Sequence, residues 1–274
     1  MGAALPIPIF LRPRVLGIML TILSSGACQA AGQIPYGTRE GMAVTIRNMD
    51  GINGDRAVIK VEHTRENARE YCTGYLSDQS EACVDKALKE VRIADTQKGN
   101  CHTGKFVNLR GENIAFAGAN LDHKANPASP QYKLFKQGNQ SPLSETTASG
   151  YFPNLEQFKT LCPTKYGDAM LAYENRPKYI GRWYADGNKL VCRADEGETE
   201  GLLTYKSREF VGIETRCKFT AIRPIGERYT IMMTCAGEGR DWNDREVLEV
   251  RNGKLERTVM VERKPVTFTY DRCP

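Results

Sequence analysis

Cysteine placement constrains this chain more than any other feature. There are nine cysteines. Cys28 falls at the end of an N-terminal leader. The other eight divide into Cys72, Cys83, Cys101 and Cys162 before the Pro177 region and Cys192, Cys217, Cys235 and Cys273 after it. An even set in an oxidising compartment is expected to pair. The CxxC spacing used by zinc sites and thioredoxin-like redox sites does not occur. The pattern therefore predicts two disulfide-stapled domains, over 40–172 and 178–274. Cores this small gain from bridges, since each closed loop contributes about 2–4 kcal/mol.

Residues 1–31 carry Arg12 and Arg14 and no acid, then an apolar run over 15–23 and a small-residue stretch over 24–31. These are the three parts of a secretory signal peptide. The apolar run falls well short of the about 20 residues that cross a bilayer, and no later stretch is apolar enough, so no transmembrane segment is expected. Cleavage after Ala30 removes Cys28; alternatively, residues 25–28 act as a lipoprotein box and Cys28 carries a lipid anchor. Either way Cys28 leaves the pairing pool, and the expected location is periplasmic or secreted. The net charge of +5 falls by two to +3 without the leader arginines. Charges of both signs are interleaved, which argues against nucleic acid as a partner.

The first domain reads as α+β. Residues 42–48 and 57–63 are β-rich and flank the turn signals Asp50-Gly51 and Asn53-Gly54, predicting a hairpin. Thr64 is placed to cap a helix. Ser77 and Asp78 open a second one, with Glu81 three residues after Asp78 as in a capping box. Val84, Ala87, Leu88 and Val91 give that second helix one apolar face. The two helices form a hairpin that Cys72 and Cys83 would staple, leaving Cys101 for Cys162. Segments over 105–109 and 114–118 read as strands. Residues 122–149 read as irregular with one strand near 132–135, and Pro153 starts a helix that ends at Cys162-Pro163.

The second domain alternates with a period of two. Val211, Ile213, Thr215, Cys217, Phe219 and Ala221 share one strand face, and Tyr229, Ile231, Met233 and Cys235 repeat the pattern. Asn252-Gly253 is a hairpin signal; Leu255, Arg257, Val259 and Val261, then Val266, Phe268 and Tyr270, continue the period. With segments at 180–185, 189–192 and 202–207 this makes about eight strands, an all-β antiparallel meander able to close into a small barrel. Cys217 and Cys235 stand nearly opposite each other, so a direct bond is sterically allowed. The preferred pairing is nonetheless Cys192–Cys217 with Cys235–Cys273, which would tie strands that neighbour pairing leaves looser.

Gly181, Arg182 and Trp183 on the first of these strands, with Arg272 on the last, resemble the lipocalin-like (calycin-type) small barrels. In that family a Gly-x-Trp opens the first strand and a late basic residue packs on the tryptophan. The resemblance covers about a third of the chain. It implies a barrel and, from envelope proteins of this kind, recognition of a protein through a rim or terminal segment, as in protease inhibitors. About 95 residues leave the strands short, and short eight-stranded barrels fill their interiors with their own side chains.

Candidate chemistry is sparse. Glu238, Arg240, Asp241 and Trp242 fall in a glycine-containing segment read as an exposed loop over 238–244, and tryptophan and arginine dominate binding hot spots. His63, His102 and His123 are the three histidines. Four carboxylates lie between Asp195 and Glu200, best read as a solvated hairpin tip. GxSxG, HExxH, GxxxxGK[ST] and GxGxxG do not occur. No catalytic residue, metal or cofactor is expected. The reading is an exported, non-enzymatic binding protein for a protein or cell-envelope component, including an inhibitor. An envelope hydrolase using His63 or His102 with nearby acids and a purely structural envelope protein stay open as alternatives.

Overall fold

The computed structural model describes residues 32–138, 142–146, 148, 150–185 and 187–274. The leader, with Cys28 and both readings of its processing, lies outside the described residues. Among those described, no helix is long and apolar enough to cross a membrane.

The N-terminal part is a seven-stranded antiparallel meander with four helices. Its strands are β1 (Gln33–Pro35), β2 (Ala43–Asp50), β3 (Ala57–Glu62), β4 (Thr96–Asn100), β5 (Lys105–Val107), β6 (Asn113–Ala119) and β7 (Tyr132–Lys136), each paired with the next. β3 shows how the sequence directs this: Ala57, Ile59 and Val61 are buried while Lys60 and Glu62 face water. The helices are α1 (Arg65–Gly74), α2 (Glu81–Glu90), α3 (Tyr151–Leu161) and α4 (Pro163–Glu174). α3 turns Leu155, Phe158 and Leu161 into the sheet core, where Phe158 stacks on Phe116 at 4.2 Å between centroids.

Thr64 caps α1 as expected, its hydroxyl accepting from the Asn67 N–H at 3.2 Å while the Asn67 side-chain Oδ1 accepts from the Thr64 N–H at 3.1 Å. The start of α2 differs from expectation. Ser80 is the cap, its hydroxyl accepting from the Cys83 N–H at 3.2 Å. Residues 76–78 are still completing the end of α1, where the Asp78 N–H donates to the Cys72 carbonyl at 2.9 Å. The bridges Cys72–Cys83 and Cys101–Cys162 form as expected.

The C-terminal part is a closed barrel of eight antiparallel strands: β8 (Gly181–Tyr184), β9 (Leu202–Tyr205), β10 (Glu209–Gly212), β11 (Thr215–Ile225), β12 (Arg228–Gly237), β13 (Arg240–Arg251), β14 (Lys254–Val261) and β15 (Lys264–Arg272). β8 to β10 have four residues each, and β11 to β15 have eight to twelve. The strand total matches the sequence reading for compensating reasons. Residues 189–192 are not a strand but part of a 3-10 turn, Lys189–Arg193. The run over 211–221 breaks in two at Ile213-Glu214, where Glu214 takes a φ of 48°. A bulge between Phe219 and Ala221 then brings Ile222, rather than Ala221, opposite Ile231.

The expected bridges Cys192–Cys217 and Cys235–Cys273 are replaced by Cys217–Cys235 and Cys192–Cys273. Cys217 and Cys235 are direct register partners on β11 and β12, with Cα atoms 3.9 Å apart, and partners on adjacent strands point to the same face. Cys192 sits on the 3-10 turn beside Cys273, which follows β15 and whose N–H donates to the Arg182 carbonyl at 2.9 Å.

Candidate functional site

Three groups of side chains in the barrel merit attention, and the first two are structural. Gly181 adopts a φ of 153°, and a Cβ there would meet the Arg272 guanidinium at 3.5 Å. That guanidinium lies 4.4 Å from the centroid of the fully buried Trp183 ring and donates to the Lys178 carbonyl. The Trp183 indole donates to the Tyr179 carbonyl at 2.8 Å. Burial, and then nearby Arg176, lowers the pKa of Arg272 from its ordinary value. Glycine, tryptophan and arginine thus form one brace that shuts this end of the barrel. Over it, Tyr179 meets Tyr229 edge to face at 4.9 Å, and Leu121 and Ala125 of the N-terminal part pack on the same cluster.

The second group lies in the interior and was missed in the sequence. Glu246 on β13 has a side chain 1 % exposed and pairs with Arg257 on β14. The Arg257 Nε–H donates to it at 3.0 Å, and the Tyr205 hydroxyl donates to its Oε2 at 2.6 Å. Burial, and then the Glu246 charge, push the Tyr205 hydroxyl well above its ordinary pKa. Burial opposes the charge on Arg257, but Tyr205 and Glu246 outweigh it and hold the guanidinium above its usual range. The Glu246 carboxylate thus takes donors from both Arg257 and Tyr205 inside the wall.

The third group is the β12–β13 hairpin, which carries the sequence-derived candidates. The expected loop over 238–244 is much shorter. Only Glu238 and Gly239, both at positive φ (48° and 75°), form the turn, and the strand resumes at Arg240. Two successive residues at positive φ match the twist of a two-residue hairpin, so no longer loop is needed. Arg240 and Trp242 share a strand face, with the Arg240 guanidinium 5.7 Å from the Trp242 ring centroid and 3.8 Å from the Glu238 carboxylate. Asp241 points to the opposite face and does not join them. Trp242 is half-buried, packing on the barrel core opposite Cys235. Gly237 leaves room for it, since a Cβ there would lie 3.3 Å from the indole. Two further turns open at the same end, Ile213-Glu214 and Glu262-Arg263. They expose Ile213 at 46 % and Val261 at 45 %, apolar groups that the alternation pattern had assigned to the interior.

The remaining candidates do not assemble. His63 follows β3 and lies against Tyr36, ring centroids 5.7 Å apart. His123 meets the Ser129 carbonyl through Nδ1 at 2.7 Å. The His102 carbonyl accepts from Lys165 at 2.6 Å. Among the described residues no histidine pairs with a carboxylate, and no group of three His, Cys, Asp or Glu side chains could hold a metal ion. In the acidic stretch, Glu196 pairs with Lys206 at 2.8 Å, and Lys206 and Arg216 also bind Glu209 at 3.2 and 2.8 Å. Burial works to raise the Glu209 pKa, yet these two cations bring it below the usual carboxylate range.

His63 gives a pH signature. Its Nε2 is buried without a partner, and burial lowers its pKa from the ordinary value. The unfolded chain then binds the proton more readily than the folded one. Stability is fully present above the unfolded pKa of about 6.5 and declines as pH falls through it. His63→Phe should flatten the fall in Tm between pH 7.5 and pH 5 relative to the parent; an unchanged slope assigns that fall elsewhere.

The fold and its contacts define a closed eight-stranded antiparallel barrel joined to an α+β part. No protein-family model, curated protein or solved structure matches this chain.

Proposed function

We propose that this chain is an exported binding protein, periplasmic or secreted, that recognises another protein or a cell-envelope component through the rim of its barrel. The observation that carries the reading is the Arg240–Trp242 pair. A half-buried indole is flanked by a cation 74 % exposed at a barrel end that also exposes Ile213 and Val261. The indole, packed on the barrel core beside the strand that the Cys217–Cys235 bridge ties to β11, supplies an anchor with little ordering cost, and the arginine adds an accessible cation. The Gly181, Trp183 and Arg272 brace supports the likeness to lipocalin-like barrels, and that likeness points to rim-borne recognition, inhibition of an enzyme being one form. The residues over 40–172 and 178–274 would then act as two separately folded domains.

The test is affinity capture from the native source with mature, tagged protein, followed by mass spectrometry. A partner captured by the parent should bind the Trp242→Ala/Arg240→Ala variant about thirtyfold more weakly, as expected when a hot-spot anchor is truncated, with circular dichroism unchanged. Equal capture by a folded variant removes the rim from the reading.

A further inference from the structure

We propose that a basic pocket where the N-terminal part meets the barrel binds a compact phosphoryl group, a phosphate monoester or a pyrophosphate. The pocket has a volume of about 510 Å³, and Lys124, Arg182, Lys189 and Arg193 are the charged side chains among the described residues that line it. None of the rim residues 238–242 takes part, so this site stands or falls apart from the rim.

Three segments bring these cations together. Lys124 ends a 3-10 turn, Leu121–Lys124, which is fastened to the barrel on both sides of the lysine. The Asp122 carboxylate accepts from the Ser207 N–H at 2.5 Å and from its hydroxyl at 3.1 Å, and Ala125 is buried in the barrel core. Arg182 leaves β8 on the face opposite Gly181 and Trp183. Lys189 and Arg193 stand at the two ends of the second 3-10 turn. The Cys192–Cys273 bridge ties that turn to the residue whose N–H holds the Arg182 carbonyl. Folding thus fixes four like charges around one hollow, and a bound anion relieves their repulsion.

The charge is available to a ligand. Lys124, Lys189 and Arg193 enter no ion pair among the described residues, and Glu196, which follows soon after in the chain, is taken by Lys206 at 2.8 Å. Arg182 gives one N–H to the Ala194 carbonyl, while its Nε–H is buried with no acceptor. A buried donor on a charged group is costly to leave unpaired, and an anionic oxygen seated against Arg182 supplies what it lacks. The volume falls in the range of small-molecule sites, about 300–1,000 Å³, and a walled hollow does not suit a polynucleotide, which needs a stripe of cations. Arginine forks match the oxygens of a phosphoryl group, and lysines add point charges to it. Four cations balance a group carrying two or more charges better than a single carboxylate. A soluble phosphate ester and the headgroup of an anionic lipid both present this chemistry.

The test is calorimetric titration of the mature, disulfide-bonded protein with inorganic pyrophosphate, inorganic phosphate and the dicarboxylate glutarate at low ionic strength. Pyrophosphate should bind at least about tenfold more tightly than glutarate, with inorganic phosphate between them. Lys124→Gln should weaken pyrophosphate about tenfold and Lys189→Gln/Arg193→Gln about a hundredfold, while Lys189→Arg/Arg193→Lys should keep most of the affinity. Flotation with phosphatidylcholine vesicles containing phosphatidic acid, a phosphomonoester, distinguishes the two sources. Capture that pyrophosphate releases assigns the site to a lipid headgroup, and pyrophosphate binding without capture assigns it to a soluble ester. The idea is overturned if roughly millimolar pyrophosphate does not bind, if glutarate binds as well, or if the glutamine variants bind like the parent. It is likewise overturned if a hexaaspartate peptide binds and pyrophosphate cannot displace it, which would assign the pocket to an acidic polypeptide. The comparison of ligands uses unaltered protein, so misfolding of a variant leaves the test intact.

Discussion

Protein with both Cys101 and Cys162 replaced by alanine should lose about 4 kcal/mol of stability in its N-terminal part, the entropy of an opened loop of this size. The bridge joins residues 61 apart, and both half-cystines are buried. It fastens the β4–β5 turn to the junction of α3 and α4. There the Asn53 N–H also donates to the Leu161 carbonyl at 3.2 Å, and the Asn53 side chain accepts from the Thr164 N–H at 2.8 Å. Alanine avoids burying an unpaired hydroxyl in the cavity. Removing Cys72–Cys83, only 11 residues apart, should cost less, about 3 kcal/mol. The two tryptophans, Trp183 and Trp242, both lie in the barrel, so tryptophan fluorescence reports that part alone while far-ultraviolet circular dichroism reports both. In urea the variant should therefore shift the circular dichroism midpoint and leave the fluorescence midpoint in place. A matching shift in fluorescence would mean that the two parts unfold as one, against the proposal of separate domains.

Arg257→Met should destabilise the barrel by about 3–5 kcal/mol, the usual loss when one member of a buried ion pair is removed. Glu246 would keep only the Tyr205 hydroxyl as partner inside an apolar wall, an environment that penalises an uncompensated charge. The double variant Glu246→Leu/Arg257→Met removes that stranded group and should regain most of the loss, because an ion pair replaced whole by apolar side chains is often neutral. Tryptophan fluorescence in urea measures both. Equal losses in single and double variants would show that Arg257 acts through its packing on Phe210, 5.2 Å from the ring centroid, and not through charge.

The parts of the fold that the sequence disclosed are those where one physical signal dominated. Period-two alternation located β12, β14 and β15, and the hydroxyl of Thr64 located α1. Where two signals competed, the reading failed. β4 (Thr96–Asn100) is polar and contains a glycine, yet Gln97 is fully buried within it. Pro163 was taken as a stop, though proline at the first position also starts a helix, and here it starts α4. Ile213-Glu214 kept the alternation going across a turn, because a non-glycine residue at positive φ leaves no mark in the pattern. The C-terminal bridges went wrong by ranking reach above register. For the candidate site, Glu238, Arg240, Asp241 and Trp242 were all grouped by proximity along a segment read as loop; only the strand that starts at Arg240 puts Arg240 and Trp242 on one face and Asp241 on the other. Glu246 was hidden because a charged residue in a charged run reads as surface until its partner strand is known.

The pairing of β8 with β15 also orders events during folding. Almost the entire barrel sequence separates Trp183 from its ladder partner Arg272, and contacts so distant form late, since a long loop must be ordered first. β11 to β15, each a hairpin neighbour of the next, can zip up locally before that. The wall is thus expected to exist first as a curled ribbon with Gly181–Tyr184 unattached, and it becomes a cylinder only when Cys273 reaches Cys192. An oxidant that arrives before that moment meets four thiols with a choice of partners. Local zippering of β11 onto β12 would commit Cys217 to Cys235 and leave the last two sulfurs a single way to finish.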